Sequence, residues 1–346
     1  MLVAAPDKFR GTATASQAAA AVGRAGRSQG WSVVEAPLSD GGEGLIDALA
    51  PLGGTVEHAE VTGPLGTPVT ARWLLDGDRA VIEMAEASGL VLAGGSAGNR
   101  PMEATTRGTG ELIVAAARAV GPGGTVIVGL GGSATTDGGA GAVEAVDRAG
   151  GLAGAELVGA CDVEVGFVDA ATRFAPQKGA DAGQVAALEA RLRHLAGTYA
   201  TRSGTDLLAH PGAGAAGGLG GGLVVLGGSL RSGYRLVADL VGLPGHLAGA
   251  DLVVTGEGAL DATSFAGKVV GGVLDDAGAL GLPALVVVGR AADEGAALAA
   301  GAGAAVVSLR RTFGGERAVA QAVACIEEAA AAWLGARSGR EDGPAG

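Results

Sequence analysis

The chain has 346 residues, a formal net charge of −12, 48% apolar residues and only 3% aromatic ones. That length allows two ordinary domains, and their cores must be built from Ala, Val and Leu. The acidic balance argues against nucleic acid or an anionic membrane as a main partner, so anionic substrates would need local positive charge or a metal.

Glycine and proline together make up about 23%, just short of low-complexity composition, and the glycines cluster at strand ends. Cys161 and Cys325 form no CxxC pair and no disulfide framework, which suits a reducing compartment. Met1 leads directly into a strand without a signal-like segment, and no 18-residue apolar stretch lacks charges or glycines. A soluble, cytoplasmic protein is expected.

In chain order, Leu2 to Ala5 reads as a short buried strand stopped by Pro6. An alanine-rich helix follows from about Ser16 to Arg27, then a strand near Trp31 to Ala36. Thr55 to Val61, Val69 to Leu75 and Ala80 to Met84 read as three strands with short links, turned by Gly63-Pro64-Leu65-Gly66 and Asp76-Gly77-Asp78. Short links favour antiparallel pairing. A helix at Gly110 to Val120, a strand at Thr125 to Leu130, a helix near Gly141 to Arg148 and a strand at Leu157 to Cys161 come next. Strands at Ala250 to Thr255, Ala284 to Val288 and Ala304 to Leu309 then alternate with alanine-rich helices, the last from about Ala318 to Leu334.

The two ends of the chain supply five strands in βαβ order, enough for one doubly wound parallel sheet. The expected architecture is α/β. A discontinuous domain of residues 1–55 and 246–335 carries an inserted mixed α/β domain, 56–245, and the polar tail 336–346 is expected to be disordered.

No GxxxxGK[ST] loop and no protein-kinase motif set occurs. One GxGxxG match, Gly212 to Gly217, follows His210-Pro211 instead of a strand. It reads better as a glycine-rich turn into a close-packed helix than as a dinucleotide fingerprint. His58, His194, His210 and His246 lack metal-ligand spacing, and Cys161 reads as core.

Four other stretches set charged or hydroxyl residues among glycines beside a strand end. They are Asp7-Lys8-Phe9-Arg10-Gly11, Asp40-Gly41-Gly42-Glu43-Gly44, Gly131 to Gly139, and Gly256-Glu257-Gly258-Ala259-Leu260-Asp261. Strand carboxyl ends are where open α/β sheets bind ligands, and glycines let the backbone cradle anionic oxygens. Carboxylates beside such loops can hold Mg²⁺ or accept a proton. Phosphoryl transfer needs that combination. Taken singly, each Asp could be a turn residue, Lys8 and Arg10 could be solvated, and Ser133, Thr135 and Thr136 could cap a helix.

These segments together resemble the bacterial glycerate kinase family. Further matching stretches are Ile82-Glu83-Met84-Ala85, Ser88-Gly89-Leu90, Thr105 to Leu112, Gln177-Lys178-Gly179-Ala180, Gly212 to Gly218 and Ala250 to Gly258, and the resemblance runs over about residues 1 to 290. It implies a flavodoxin-like domain with an inserted second α/β domain. It implies an enzyme that phosphorylates D-glycerate with ATP and Mg²⁺, as do family members of a type that makes 2-phosphoglycerate. A kinase of another small hydroxy or sugar acid, or a non-catalytic metabolite sensor on the same scaffold, is the alternative.

The expected catalytic residues are Asp137, Lys8, Arg10 and Asp40. Asp7, Gly131, Gly132, Ser133, Thr135, Lys178 and Gly256 are expected to bind substrate or phosphate, and Glu257, Asp261 and Glu43 to bind metal. Beyond glycerate and ATP, a homo-oligomer is the remaining partner expected. The chain departs from the family pattern at Lys8, usually a small residue, at Arg10, usually Lys, in the stretch 164–174, and at Ser264, often Gln.

Overall fold

The computed structural model describes residues 1–341. Among the described residues there are eleven strands: β1 (Leu2–Ala4), β2 (Val33–Glu35), β3 (Thr55–Thr62), β4 (Pro68–Asp76), β5 (Arg79–Glu83), β6 (Thr125–Gly129), β7 (Glu156–Ala160), β8 (Ser229–Arg231), β9 (Leu252–Leu260), β10 (Ala284–Ala291) and β11 (Ala305–Ser308). They form two sheets, one in each of two compact units.

The first unit comprises Met1–Asp40, Asp47–Pro51 and the chain from Tyr234 onward. Its sheet is wholly parallel, in the order β2-β1-β9-β10-β11. Numbered by appearance within the unit this is 2-1-3-4-5, the flavodoxin-like order. All three residues of β1 are fully buried between its two neighbours, as a central parallel strand covered on both faces requires. The covering helix Ala15–Ser28 starts at a Thr14–Gln17 capping box and packs on helix Ala322–Glu341. Glycine lets it lie close: a Cβ at Gly26 would stand 2.8 Å from Val33. Leu2, Val254, Leu285, Val287 and Ile326 fill this core with hardly an aromatic ring.

The second unit comprises Gly41–Ile46 and Leu52–Gly233. Its sheet runs β3-β4-β5-β6-β7-β8, antiparallel through β5 and parallel from β5 to β8. The β4–β5 hairpin turns on Gly77 with φ of +59°, a conformation glycine adopts without strain. The parallel half is wound through the helices Arg107–Val120, Ala140–Arg148 and Ala182–Ser203.

The return to the first unit comes at Tyr234, not 246, and residues 41–46 belong with the second unit. The last helix continues through 336–341, part of the stretch expected to be a disordered tail. Residues 342–346 of that tail lie outside the described residues. Among the described residues no helix is long and apolar enough to cross a membrane.

Candidate functional site

In the first unit, β1 and β9 are adjacent, and the chain leaves them in opposite directions around the sheet. Their carboxyl ends mark the switch point where doubly wound sheets bind ligands. A cavity of about 410 Å³ opens there. Asp7, Lys8 and Arg10 reach it from the end of β1, and Glu257 and Asp261 from β9. Asp40 joins from the segment after β2. The Asp7 N–H donates to Gly256 O at 2.9 Å, which ties the two loops together.

The charges in this cavity are coupled. Lys8 Nζ stands 3.5 Å from both Asp7 Oδ1 and Asp40 Oδ1. Burial works against its charge, but the two carboxylates outweigh it and hold the ammonium above its usual range. Burial pushes Asp7 up to about 6, against the pull of Lys8. Burial likewise pushes Glu257 up to about 7, opposed by a hydrogen bond from Ser264 and reinforced by Asp7. Glu257 Oε1 is buried without a hydrogen-bond partner. Asp261 behaves oppositely: the Thr263 hydroxyl, donating at 2.6 Å, holds it below the usual carboxylate range. Ser264, the position that departs from the family pattern, therefore touches the site directly.

Sequence reasoning passed over the rest of the positive lining: Lys268, Arg290 and Arg310. The signal was available, since Arg290 lies at the end of β10 and Arg310 just beyond β11. A larger cavity of about 510 Å³ lies in the same unit, lined by Trp31, Asp251 and Pro283, which precede β2, β9 and β10. That is the amino-terminal edge of the sheet, where such folds do not carry out their chemistry.

The remaining expected residues gather in the second unit. The loop after β6 holds Gly131, Gly132, Ser133, Thr135 and Asp137. The segment 41–43 lies on it so closely that a Cβ at Gly131 would stand 2.6 Å from Gly42 Cα, and one at Gly132 would stand 2.1 Å from Glu43 Oε1. Gly132, with φ of +67°, is doubly constrained. Glu83, at the end of β5, accepts hydrogen bonds from Gly44 N–H at 3.0 Å and Ile46 N–H at 2.8 Å and so anchors the segment carrying Glu43. Burial pushes Glu83 up to about 6. In the sequence Glu83 is only one member of the Ile82-Glu83-Met84-Ala85 stretch, and its role comes from the fold.

Lys178 is 3% exposed, and its Nζ donates to Ser133 Oγ at 2.7 Å and Thr135 O at 2.6 Å. Burial pushes its ammonium down to about 7.

Asp137 is 4% exposed and its carboxylate is fully engaged. Oδ2 accepts from Thr106 N–H at 2.8 Å, Thr106 Oγ1–H at 2.9 Å and Gly141 N–H at 3.3 Å, and Oδ1 accepts from Gly139 N–H at 3.1 Å. A carboxylate offers about four lone-pair sites, so these donors use them. Its negative charge sits at the amino ends of helices Arg107–Val120 and Ala140–Arg148, where helix dipoles favour it. This geometry describes an anchor for the loop.

The glycine run at 212–218 packs against the same loop. Gly138 N–H donates to Gly217 O at 3.0 Å, and a Cβ at Gly217 would stand 1.9 Å from Thr135 O. No strand precedes this run, and its glycines serve close packing. Among the described residues no group of three His, Cys, Asp or Glu is arranged to hold a metal. Glu257 and Asp261 line the first unit's cavity, and Glu43 lies against Gly132 in the second unit.

A family model described as the glycerate kinase family matches residues 2–149 and 147–336. This chain belongs to the glycerate kinase family. It is 37% identical over 331 residues to the glycerate 2-kinase of Escherichia coli K12, covering 85% of this chain and 86% of that relative. It is 37% identical over 325 residues to the glycerate kinase of Bacillus subtilis 168, covering 83% and 84%. A crystal structure from Salmonella typhimurium LT2, provisionally named glycerate kinase 2, matches with a TM-score of 0.80 at 32% identity over 99% of both chains. This family member is thus an enzyme of the kinase class, with the two-sheet α/β architecture expected of it.

Proposed function

We propose that this enzyme transfers the terminal phosphoryl group of ATP to a hydroxyl of D-glycerate, giving 2-phosphoglycerate. Family membership supports the reaction class, and a relative named glycerate 2-kinase supports the position of transfer. The observation that carries the reading is the cavity at the β1–β9 switch point, where cationic and carboxylate side chains converge. Its volume of about 410 Å³ falls within the ordinary range for small-molecule pockets.

The two signs of charge have separate tasks. Phosphoryl transfer is catalysed largely by positioning and by neutralising charge on the phosphoryl oxygens. Lys8 and Arg10, with Lys268, Arg290 and Arg310, supply positive charge in an otherwise acidic chain. The carboxylates divide by protonation. Asp7, held up near 6, is matched to taking the proton of the attacking hydroxyl near neutral pH. Asp261, held low, stays ionised and suits a cation.

Mg²⁺ commonly takes one or two protein carboxylates and otherwise binds phosphates and water. A buried, unpartnered Glu257 Oε1 beside Asp261 fits that modest demand. Bound there with the nucleotide, the ion would neutralise phosphate charge. In the second unit, Glu43 and the loop Gly131 to Thr135 remain candidates for substrate or phosphate binding, and Asp137 is assigned to holding that loop.

A coupled assay for ADP release with D-glycerate, ATP and Mg²⁺ tests the reaction, and ³¹P NMR of the product reads the position of the phosphate. D-glycerate-dependent ADP release with a 2-phosphate product is expected. Turnover of another hydroxy acid but not D-glycerate would overturn the substrate, and a 3-phosphate product would overturn the position.

A further inference from the structure

Lys178 ends the single turn Pro176–Lys178 and lies beneath the loop that follows β6. An ammonium group donates hydrogen bonds and accepts none. At 2.7 Å, Ser133 Oγ must therefore act as the acceptor. A hydroxyl that accepts in this way still has its own proton to give. Among the described residues, Lys178 is the one hydrogen-bond partner of the Ser133 side chain.

The surroundings fix where that hydroxyl stands. Leu90 N–H donates to Gly132 O at 2.8 Å and Ala134 N–H donates to Ser88 O at 3.0 Å. Asn99 Nδ2 donates to both Ala134 O at 3.0 Å and Lys178 O at 2.8 Å, so one side chain clamps the loop and the lysine together. A second observation points to a polar ligand at this loop. Thr135 Oγ1 and Thr136 Oγ1 are buried and have no hydrogen-bond partner.

We propose that Ser133 donates its hydroxyl hydrogen to an anionic oxygen of a bound substrate, and that Lys178 is a positioning residue that directs this donation from beneath. The proposal rests on the kinase reading above, in which the anionic oxygen belongs either to the carboxylate of D-glycerate or to a phosphate of ATP.

The charge on Lys178 then sets the direction of the Ser133 hydroxyl. Asp137 faces the lysine and favours its charged form, against burial. Burial holds the nearby Tyr199 phenol above its usual range, so its hydroxyl remains a donor to Gly138 O. Asn99 offers only an amide. When Lys178 loses its proton, its nitrogen keeps two N–H donors and gains a lone pair, so that the Ser133 O–H can also turn inward to it and is less available to the anion. Affinity for the anion falls as pH rises through about 7.

The experiment uses the full chain and steady-state kinetics. Ser133→Ala is expected to raise one substrate KM about tenfold, equivalent to about 1.4 kcal/mol, with kcat within about twofold of wild type. A rise in KM for D-glycerate identifies the carboxylate, and a rise in KM for ATP identifies a phosphate. In wild type the same KM should climb between pH 6.5 and 8.5, and this climb should be absent in Ser133→Ala. Lys178→Met, which removes the donor at similar length, should also abolish the climb. A lysine serving the fold alone would lower the melting temperature and leave the climb in place. If Lys178→Met does not fold, the comparison of wild type with Ser133→Ala still decides, since a climb present in both overturns the proposal. Wild type that turns over D-glycerate while Ser133→Ala keeps both KM values overturns this proposal alone. Wild type without D-glycerate turnover overturns the functional reading and this proposal with it.

Discussion

Replacing Asp137 by Asn tests whether this carboxylate anchors the framework or takes part in chemistry. Asn caps a helix about as well as Asp, so a capping acid with a catalytic duty would give a variant of unchanged melting temperature that loses about a hundredfold in kcat. The hydrogen bonds of Asp137 lead to a different expectation. Both carboxylate oxygens accept hydrogen bonds, and an amide has only one acceptor oxygen. With the amide oxygen facing Thr106, the NH₂ group is set against Gly139 N–H, 3.1 Å from the present Oδ1. One buried donor is orphaned, at a cost of about 1–3 kcal/mol. The remaining bonds lose their charge assistance, which roughly halves them. Together these amount to about 3 kcal/mol, or a fall of roughly 6–12 °C in Tm for a domain of this size. Urea and thermal unfolding followed by fluorescence of Trp73, which lies in the same unit, measures it. A variant that melts within 2 °C of wild type yet loses a hundredfold in kcat would refute the anchoring assignment and return Asp137 to the chemistry.

Three further outcomes are expected. Glu257→Gln should stabilise the ligand-free protein by about 1–3 kcal/mol at pH 8 and by almost nothing at pH 4: a carboxyl raised to about 7 contributes stability below its unfolded value that is lost as pH rises through 7, so equal effects at both pH values would contradict the assignment. Arg10→Ala should cost about 2–4 kcal/mol of transition-state stabilisation, read as kcat/KM, and an unchanged value would make that loop structural only. Gly217→Ala combines a φ of +71° with a Cβ 1.9 Å from Thr135 O, so chemical denaturation should show a loss of at least about 2–3 kcal/mol; a loss below 1 kcal/mol would mean the loop yields easily.

Ten of the eleven strands were legible, among them Leu2 to Ala5 and Ala284 to Val288, because each is a short run bounded by turn residues. The β3–β4–β5 meander was legible from its short links. Helix Ala182–Ser203 and strand β8 were not recognised. The helix has a weakly amphipathic pattern, although its Asp181–Gln184 capping box was a usable signal. Strand β8 is three residues long and mostly exposed.

Of the candidate residues, those at the ends of β1 and β9 were found because glycine-flanked charges at strand ends have a physical meaning. What a linear sequence conceals is how a polar group's bonding capacity is used. Asp137 and Glu257 look alike as an acid among glycines. One has its lone pairs filled by three backbone N–H groups and the Thr106 hydroxyl at the starts of two helices, and the other keeps a buried oxygen without a partner. Lys178 likewise reads in the sequence as a cation for substrate or phosphate, whereas the fold buries it under Ser133 with its ammonium bonded to Ser133 and Thr135.

The position of β1 has a consequence for synthesis on the ribosome. This strand is central in its sheet, yet one neighbour, β9, begins 250 residues later at Leu252. During synthesis residues 1–40 can form β1, its helix and β2, but that fragment lacks the partner that covers half of β1's backbone. The intervening 52–233 segment contains nearly all of the second unit and can complete its own sheet while still tethered. Residues 1–40 must therefore wait, with an unpaired strand edge, until β9 has emerged 250 residues after β1. Such an edge invites pairing with other chains, and the brevity of β1, three residues long, limits how much template it offers during that interval.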